Sequence, residues 1–434
     1  MGELTSAREA VYQRGMSRRI DAEVVIVGGR PAGASLALRL GRRGKRVVIL
    51  DKATFPSPPA VPSCPILYAP AMRLLDELGI DEARYADEGA KIAGIGFELE
   101  GRFKTTIDIP LSSGRSHAMG LDRASFDALL WDELARFPTI ERRSGCTFQR
   151  VLRDERGVVT GITASDAEGP LAIHAPLSVG ADGRFSAFAR ATGAEVREDL
   201  CHETSTVHFA DWEGLRPFEP GREQLASLCT GARGATVLFF PAPRGRTMVA
   251  TYLRADRASP LGDVEAHYQG VLDRFSGVRR RLEGARRVSE VVGVKRVQNR
   301  LLEPRGPGWA LVGDALHHKD PIDGQGIYDA LLSAKLLDEN LERLDRYAEQ
   351  VIAAMRPMML ATVKRVKQEL YDEPPALILR TLIRWLMTDP EYQRRFMLFL
   401  TREEPPETWP PASLVRGAAL RGMARDLRGV FSRR

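Results

Sequence analysis

Apolar and polar positions along the chain change period several times, and each change marks an element. Residues 24–27 are an unbroken β-branched run, Val-Val-Ile-Val, and residues 46–50 form a second run ending in Val-Val-Ile-Leu. Short apolar runs of this kind read as parallel strands buried on both faces. Between them, residues 32–43 carry apolar side chains at helical spacing, and Gly44 stops the pattern. The result is strand, Gly-rich turn, helix and strand, with the acid Asp51 directly behind. Residues 54–62 hold four prolines, which exclude a helix and disfavour a central strand.

Further along, the spacing predicts a helix over 71–78, ended by Gly79, and a hairpin of 96–100 with 103–109 about Gly101. Phe126, Leu129, Leu130 and Leu134 predict a helix over 121–137. Residues 146–153 and 158–164 read as paired strands, and 172–179 reads as one further strand entering Gly180-Ala-Asp-Gly. From 203 to 254 the pattern is strand-rich, with 236–240 and 248–253 flanking a proline-bounded loop. A helix at 262–275, a strand-like stretch at 288–297 and a strand at 309–312 follow. Ile327, Ala330, Leu331, Ala334, Leu337 and Leu341 then form one stripe on a helix over 326–344. The remainder is helical in character, broken by Pro374-Pro375, Pro390 and a proline cluster at 405–411.

These elements predict an α/β protein, α+β overall. A Rossmann-like nucleotide-binding domain is expected from 20–80, 115–195 and 295–345. An antiparallel-sheet substrate domain from 81–114 and 196–294 interleaves with it, and helices fill 346–434. No clean linker divides the chain, so the domains are expected to be discontinuous.

The first candidate site is the turn Gly28-Gly29-Arg30-Pro31-Ala32-Gly33. Gly28 and Gly33 permit a tight turn and close packing, and the amides at the helix start favour a pyrophosphate. Asp51, with Lys52 beside it, lies at the distance from which an acid binds ribose hydroxyls. The fingerprint's middle glycine, which lets phosphate approach, is Arg30 here. On this stretch alone a βαβ unit without a nucleotide stays open, and Arg30 either swings to solvent or lies beside the phosphates.

The second site is Gly313-Asp-Ala-Leu-His-His-Lys-Asp-Pro-Ile-Asp-Gly-Gln-Gly-Ile, ending at Ile327. A buried strand ends in a carboxylate, Asp314, and a row of free amides opens the next helix. The carboxylate can accept hydrogen bonds from a sugar-like chain, and the amides can stabilise an anion. A plain strand–loop–helix connection capped by Asp323 is the structural alternative.

Composition narrows the field. The chain has 434 residues, is 44% hydrophobic and 28% charged, and carries a net charge of +6. That length suits two or three domains. No basic stripe with interleaved aromatics points to nucleic acid. Cys64, Cys146, Cys201 and Cys229 are scattered, which suits a reducing compartment and argues against disulfides or a zinc site. His317 and His318 have no third ligand at suitable spacing, so no metal is expected. The polar start has no signal-peptide core, and no apolar run spans a bilayer. A cytoplasmic protein is expected.

Together the motifs resemble the FAD-dependent monooxygenase superfamily of the para-hydroxybenzoate hydroxylase type, which is related to flavin halogenases and geranylgeranyl reductases. Gly313, Asp314, Ala315, His317, Pro321, Gly324, Gln325 and Gly326 match its Gly-Asp-Ala-x-His-x-x-x-Pro-x-x-Gly-Gln-Gly pattern. The resemblance implies that Asp314 binds the ribityl chain of FAD, and that the amides around Gly324–Ile327 stabilise reduced flavin at its pyrimidine edge. Asp182, Gly183 and Ser186 match the family's Asp-Gly segment, which serves both FAD and NAD(P)H. The family's arginine two places after the glycine is Phe185 here, with Arg184 one place early. Arg123, at a matching helix start, would reach the cofactor, and its alternative is an exposed helix-start arginine.

The resemblance further implies NADPH or NADH as reductant, dioxygen and a small-molecule substrate as reactants, and oxygen transfer from a flavin C4a-hydroperoxide. Few obligatory side-chain acids or bases are then expected. A tryptophan signature of halogenases is absent from 237–246, which sets halogenation aside. Reduction of an isoprenoid-like chain is the enzymatic alternative, and a non-catalytic flavin-binding scaffold is the second. Candidate catalytic side chains are His208, Tyr252 and His317, the last read as a loop residue near the flavin. Candidate substrate contacts are Phe239 and Phe240, and ordinary sheet packing or a solvated face is the plainer reading of His208, Tyr252, Phe239 and Phe240. Cys64 is read as a free structural thiol near the flavin. Leu420, Met423, Leu427 and Phe431 line one face of a final Arg-rich helix. Packing on the core or a homodimer contact is the plain reading, and peripheral docking on anionic lipid the sharper one. A monomer or a homodimer fits equally.

Overall fold

The computed structural model describes residues 18–60, 64–86, 91–99, 101, 103–231, 234–257, 263–372 and 376–431. Its centre is a six-stranded sheet in the order Arg305–Gly306, Trp309–Leu311, Leu177–Gly180, Val24–Val27, Val47–Asp51, Ile140–Ser144. All neighbours run parallel except the first pair. Val24–Val27 and Val47–Asp51 are buried at every position, which is why their sequences show no alternation. The fold is α/β, as the pattern predicts.

Helices Pro31–Arg42 and Gly326–Glu339 pack against each other beside this sheet. Ile327, Ala330, Leu331, Ala334 and Leu337 of the predicted stripe are all buried in the same core, and Leu341 is partly buried against it. Gly313 makes the close approach possible: a Cβ there would lie 2.7 Å from the Ala32 methyl carbon. Ala32 and Ala330 both flank Gly313, so the first turns of the two helices lie side by side.

The predicted strand over 172–179 is two strands. Gly169–His174 joins a four-stranded sheet with Arg19–Asp21, Val159–Asp166 and Thr147–Arg153, whereas Leu177–Gly180 enters the parallel sheet. Pro176 lies between them and lacks the amide needed to continue a ladder. Of the stretch over 288–297, only Val292–Val294 pairs. The helix predicted over 262–275 runs over Val264–Leu272, and Asp263 caps it by accepting from the Glu265 amide. Its predicted start at Gly262, the polar first 17 residues and Pro374-Pro375 lie outside the described residues, as do the side chains of Leu377, Ile378, Leu379 and Phe431.

An eight-stranded sheet, antiparallel apart from one pair, builds the other half. Its order is Arg286–Arg287, Ser205–Glu213, Arg246–Arg254, Ala235–Ala242, Leu225–Thr230, Gly94–Leu99, Phe103–Asp108, with Val292–Val294 beside Ser205–Glu213. Alternation assigns its two faces. Val207, Phe209, Leu238, Phe240, Ala250 and Tyr252 point to an inner core shared with the C-terminal helices. Val237, Phe239, Val249 and Leu253 point outward, beneath helix Val264–Leu272. Helices Leu344–Val366, Ala376–Met387, Pro390–Leu400 and Ala412–Phe431 lie on the inner side. The last of these packs through Leu414 and Ala418, leaving Leu420, Met423 and Leu427 exposed. No helix among the described residues is long and apolar enough to cross a membrane.

His208 lies on the outer face, its ring 4.9 Å from that of His267. Burial, with His267 and Lys295 nearby, pushes its pKa down from 6.5 to about 4. The unfolded chain therefore binds a proton in that window that the folded chain refuses, so stability falls as pH drops from 6.5 towards 4. His208→Gln is expected to flatten this part of a plot of urea midpoint against pH. An unchanged slope would contradict the assignment.

Candidate functional site

The site begins where strand Val24–Val27 meets helix Pro31–Arg42. Gly28 has φ +109°, and a Cβ there would stand 2.3 Å from the Ala181 carbonyl oxygen. A Cβ on Gly33 would stand 1.8 Å from the Gly28 carbonyl oxygen. Strand end and helix start are thus pressed together as only glycine allows. No side chain caps the helix at Arg30, and Pro31 occupies its first turn. The remaining first-turn amides are left for an anion.

Arg30 does not swing out to solvent; its side chain is 22% exposed. Its Nη1 donates to Asp127 Oδ2 at 2.6 Å and to the Ser57 carbonyl at 3.1 Å, and Nη2 donates to the Pro58 carbonyl at 3.0 Å. Its guanidinium lies 5.4 Å from the Phe55 ring centroid. Arg30 therefore ties the proline-rich loop to helix Arg123–Glu133. Arg123 converges on the same carboxylate, with Nε 3.1 Å from Asp127 Oδ1 and Nη2 3.0 Å from Oδ2. Asp127 is fully buried, so the two cations compensate a charge that water does not reach. Asp51 is buried, accepting from the Gly29 amide and the Ala53 amide, each at 2.8 Å. Lys52 beside it is exposed.

Asp182 accepts from Ser186 Oγ at 2.5 Å and from the Phe188 amide at 3.1 Å, so it braces the turn holding Gly183. Burial raises its pKa. The shifted arginine has a geometric explanation. Arg184 turns inward, its side chain 9% exposed and its Nη2 3.8 Å from Asp314 Oδ2, while Phe185 is 58% exposed. Its placement one residue early still delivers a cation to the cavity.

That cavity, of about 40 Å³, is lined by Arg184, Asp314, His317, Pro321 and Gly324 through Ile327, among others. Gly324 has φ +65°, and Gln325 makes no side-chain cap at the start of Gly326–Glu339. His317 and Tyr252 are buried, and His317 Nε2 and the Tyr252 hydroxyl have no hydrogen-bond partner. Burial pushes His317 down to about 3, which keeps the ring neutral. Cys64 also lines the cavity, and burial pushes its thiol well above the ordinary range, so it is no thiolate nucleophile. No cluster suited to a metal ion occurs among the described residues.

Four further groups were not foreseen. Asp320 is fully buried, accepts from Ser205 Oγ and the Ile322 amide, and is pushed up to about 6 by burial. Lys319 pairs with buried Asp329, which also accepts from Arg402 Nη2 at 2.6 Å. The consecutive polar run His-His-Lys-Asp inside the 313–327 motif was the available signal for Lys319 and Asp320. Nothing local marks Arg402, which lies 73 residues beyond Asp329.

A second cavity, of about 40 Å³, lies between the inner sheet face and the C-terminal helices. Its walls include Tyr68, Phe97, Leu238, Phe240, Ile322 and Met387. Ile322 follows Pro321 of the first cavity, so the two spaces adjoin along that loop. Phe240 stands in this wall. Phe239 does not: it sits on the outer face beneath the Arg281 guanidinium, 3.9 Å from its ring centroid. Period-two alternation forbids both neighbours from facing one pocket, and it removes His208 and Phe239 as substrate contacts.

Arg30→Gly is expected to retain FAD while losing about 1–2 kcal/mol of stability, since Asp127 keeps Arg123. Flavin fluorescence and urea melts check both parts. Complete loss of flavin would show that Arg30 is a ligand.

Glycine-forced close approach, unfilled helix-start amides and unpartnered buried polar atoms form a cradle that fits a dinucleotide. A family model described as FAD binding domain matches residues 21–342. The chain is 29% identical over 363 residues to 6-methylpretetramide 4-monooxygenase of Streptomyces rimosus, covering 77% of this chain and 80% of that protein. It is 24% identical over 331 residues to menaquinone reductase of Mycolicibacterium smegmatis, covering 73% and 76%. The crystal structure of p-nitrophenol 4-monooxygenase PnpA from Pseudomonas putida matches with a TM-score of 0.73 at 19% identity, over 89% of this chain and 99% of that one. At that identity the likeness shows the fold. The chain belongs to the FAD-dependent monooxygenase superfamily and is an FAD-dependent oxidoreductase.

Proposed function

We propose that the protein is an FAD- and NAD(P)H-dependent monooxygenase that hydroxylates or epoxidises a small to medium apolar or aromatic molecule. The observation that carries this reading is the apolar cavity adjoining the cofactor cavity at Pro321 and Ile322. Similarity to 6-methylpretetramide 4-monooxygenase over four fifths of that protein supports it. Bound FAD would supply the activation of dioxygen, with NAD(P)H as the source of electrons.

The chain's own residues then bind, orient and exclude water. The turn from Gly28 to Gly33 would hold the pyrophosphate, Asp51 the adenosine ribose and Asp314 the ribityl chain. The amides from Gly324 to Ile327 would meet the pyrimidine edge, where negative charge develops on reduction. Phe240 and Met387 close the substrate space with carbon, which keeps water from the reacting atoms. Tyr252 is buried in the inner core with an unpartnered hydroxyl, and it lines neither cavity.

A reductase of an isoprenoid-like or quinone substrate is the second reading, favoured by the similarity to menaquinone reductase. A non-catalytic scaffold would rest on Arg30 in the Gly-rich turn and on the displaced Arg184. Arg30 is engaged by Asp127 and Arg184 lines the cofactor cavity, which counts against a degenerate site.

Oxygen consumption and NAD(P)H oxidation, measured with a panel of polycyclic aromatic and isoprenoid-quinone compounds, separate the readings. The expected result is substrate-stimulated uptake of dioxygen and a product that gains one oxygen atom. Product formation without dioxygen would contradict it in favour of the reductase. Phe240→Ala is expected to raise KM about tenfold, equivalent to about 1.4 kcal/mol, with FAD content unchanged.

A further inference from the structure

Asp329 lies one turn into helix Gly326–Glu339, between two cations. Lys319 Nζ pairs with its Oδ2, and Arg402 Nη2 donates to Oδ1 at 2.6 Å. The side chains of Lys319, Asp329 and Arg402 are 6%, 5% and 9% exposed. Two cations against one carboxylate give these three side chains one net positive charge where water hardly reaches, while Arg184, Asp314 and Asp320 line other parts of the same cavity. Asp320, the adjacent carboxylate, is turned to Ser205 and the Ile322 amide.

Three features at the same cavity point the same way. Lys319, Asp329 and His317 all line it, the start of helix Gly326–Glu339 is uncapped, and His317 Nε2 is buried without a partner. We propose that Lys319, Asp329 and Arg402 form a charge cluster that raises the reduction potential of the bound flavin by holding one net positive charge on the wall its pyrimidine edge would face. The inference rests on the FAD assignment above, and it adds side-chain charge to what the helix amides supply.

Arg402 is a positioning residue in this cluster. It has φ +64°, a left-handed conformation that non-glycine residues rarely adopt. Hydrogen bonds to Asp329, Gln325 and the Ala354 carbonyl hold it there. Gln325 Nε2 in turn donates to the Leu400 carbonyl at 2.7 Å, and Leu400 lines the apolar cavity. One short segment, 400–402, therefore walls the substrate space and completes the charge cluster. The C-terminal helices supply part of the flavin's electrostatics as well as the roof of the pocket.

Sulfite tests the cluster without turnover, because it adds to oxidised flavin N5 and leaves negative charge on the pyrimidine edge. Lys319→Met and Arg402→Gln each cancel the surplus charge. Each is expected to weaken sulfite binding to the holoenzyme about tenfold and lower the two-electron midpoint by about 30 mV. The charge-preserving Lys319→Arg and the double variant Lys319→Met with Asp329→Asn both retain one net positive charge. Both are expected to stay within about threefold of the parent, which a loss of packing would not restore. Flavin-loaded Lys319→Met and Arg402→Gln with sulfite affinity and potential unchanged would overturn the cluster while leaving the FAD assignment standing. If a single variant fails to hold flavin, the double variant decides: weakening of about tenfold there would overturn the charge argument. Absence of flavin from the parent protein would overturn the FAD assignment itself.

Discussion

The architecture depends on the close approach of two helix starts. Gly28, Gly33 and Gly313 each stand where an added Cβ would meet another atom at less than 3 Å. Without that contact, Pro31–Arg42 and Gly326–Glu339 could not bring their first turns together beside the same strand ends. With it, two sets of unpaired amides share one cavity, and their fields add. The parallel sheet supplies the stiffness, since its central strands are buried on both faces and leave little room to relax.

Charges are placed around that cradle by the same logic. Asp127 pairs with both Arg30 and Arg123, and Asp323 takes Arg365 at 2.5 Å beneath the 313–327 loop. Thr362 satisfies the other oxygen of Asp323 at 2.6 Å, so that carboxylate is structural. Asp314, at 36% exposure of its side chain, remains open to a ligand. Burial holds His317 and His318 neutral, which leaves Lys319, Arg184 and Arg402 as the cations near the cavity.

The sequence made the parallel core legible because strands buried on both faces lack alternation, and helix Gly326–Glu339 because its stripe fits 3.6 residues. It hid the break at Pro176, since both halves of 172–179 are apolar for different reasons: one pairs in a small sheet and the other in the large one. Phe239 and Phe240 could not be told apart from composition, and only the inward register of Leu238 separates them. Arg184 was legible as a displaced arginine but not as an inward one, because that depends on how the turn at Gly183 aims the chain. Arg402 was beyond reach, since its partnership with Asp329 exists only after the C-terminal helices have folded back over the sheet.

The flavin content of the purified chain tests the central claim most directly. After incubation with FAD and removal of free cofactor, the account predicts a yellow protein carrying about one FAD per chain. A folded chain that stays colourless and takes up no FAD would contradict it.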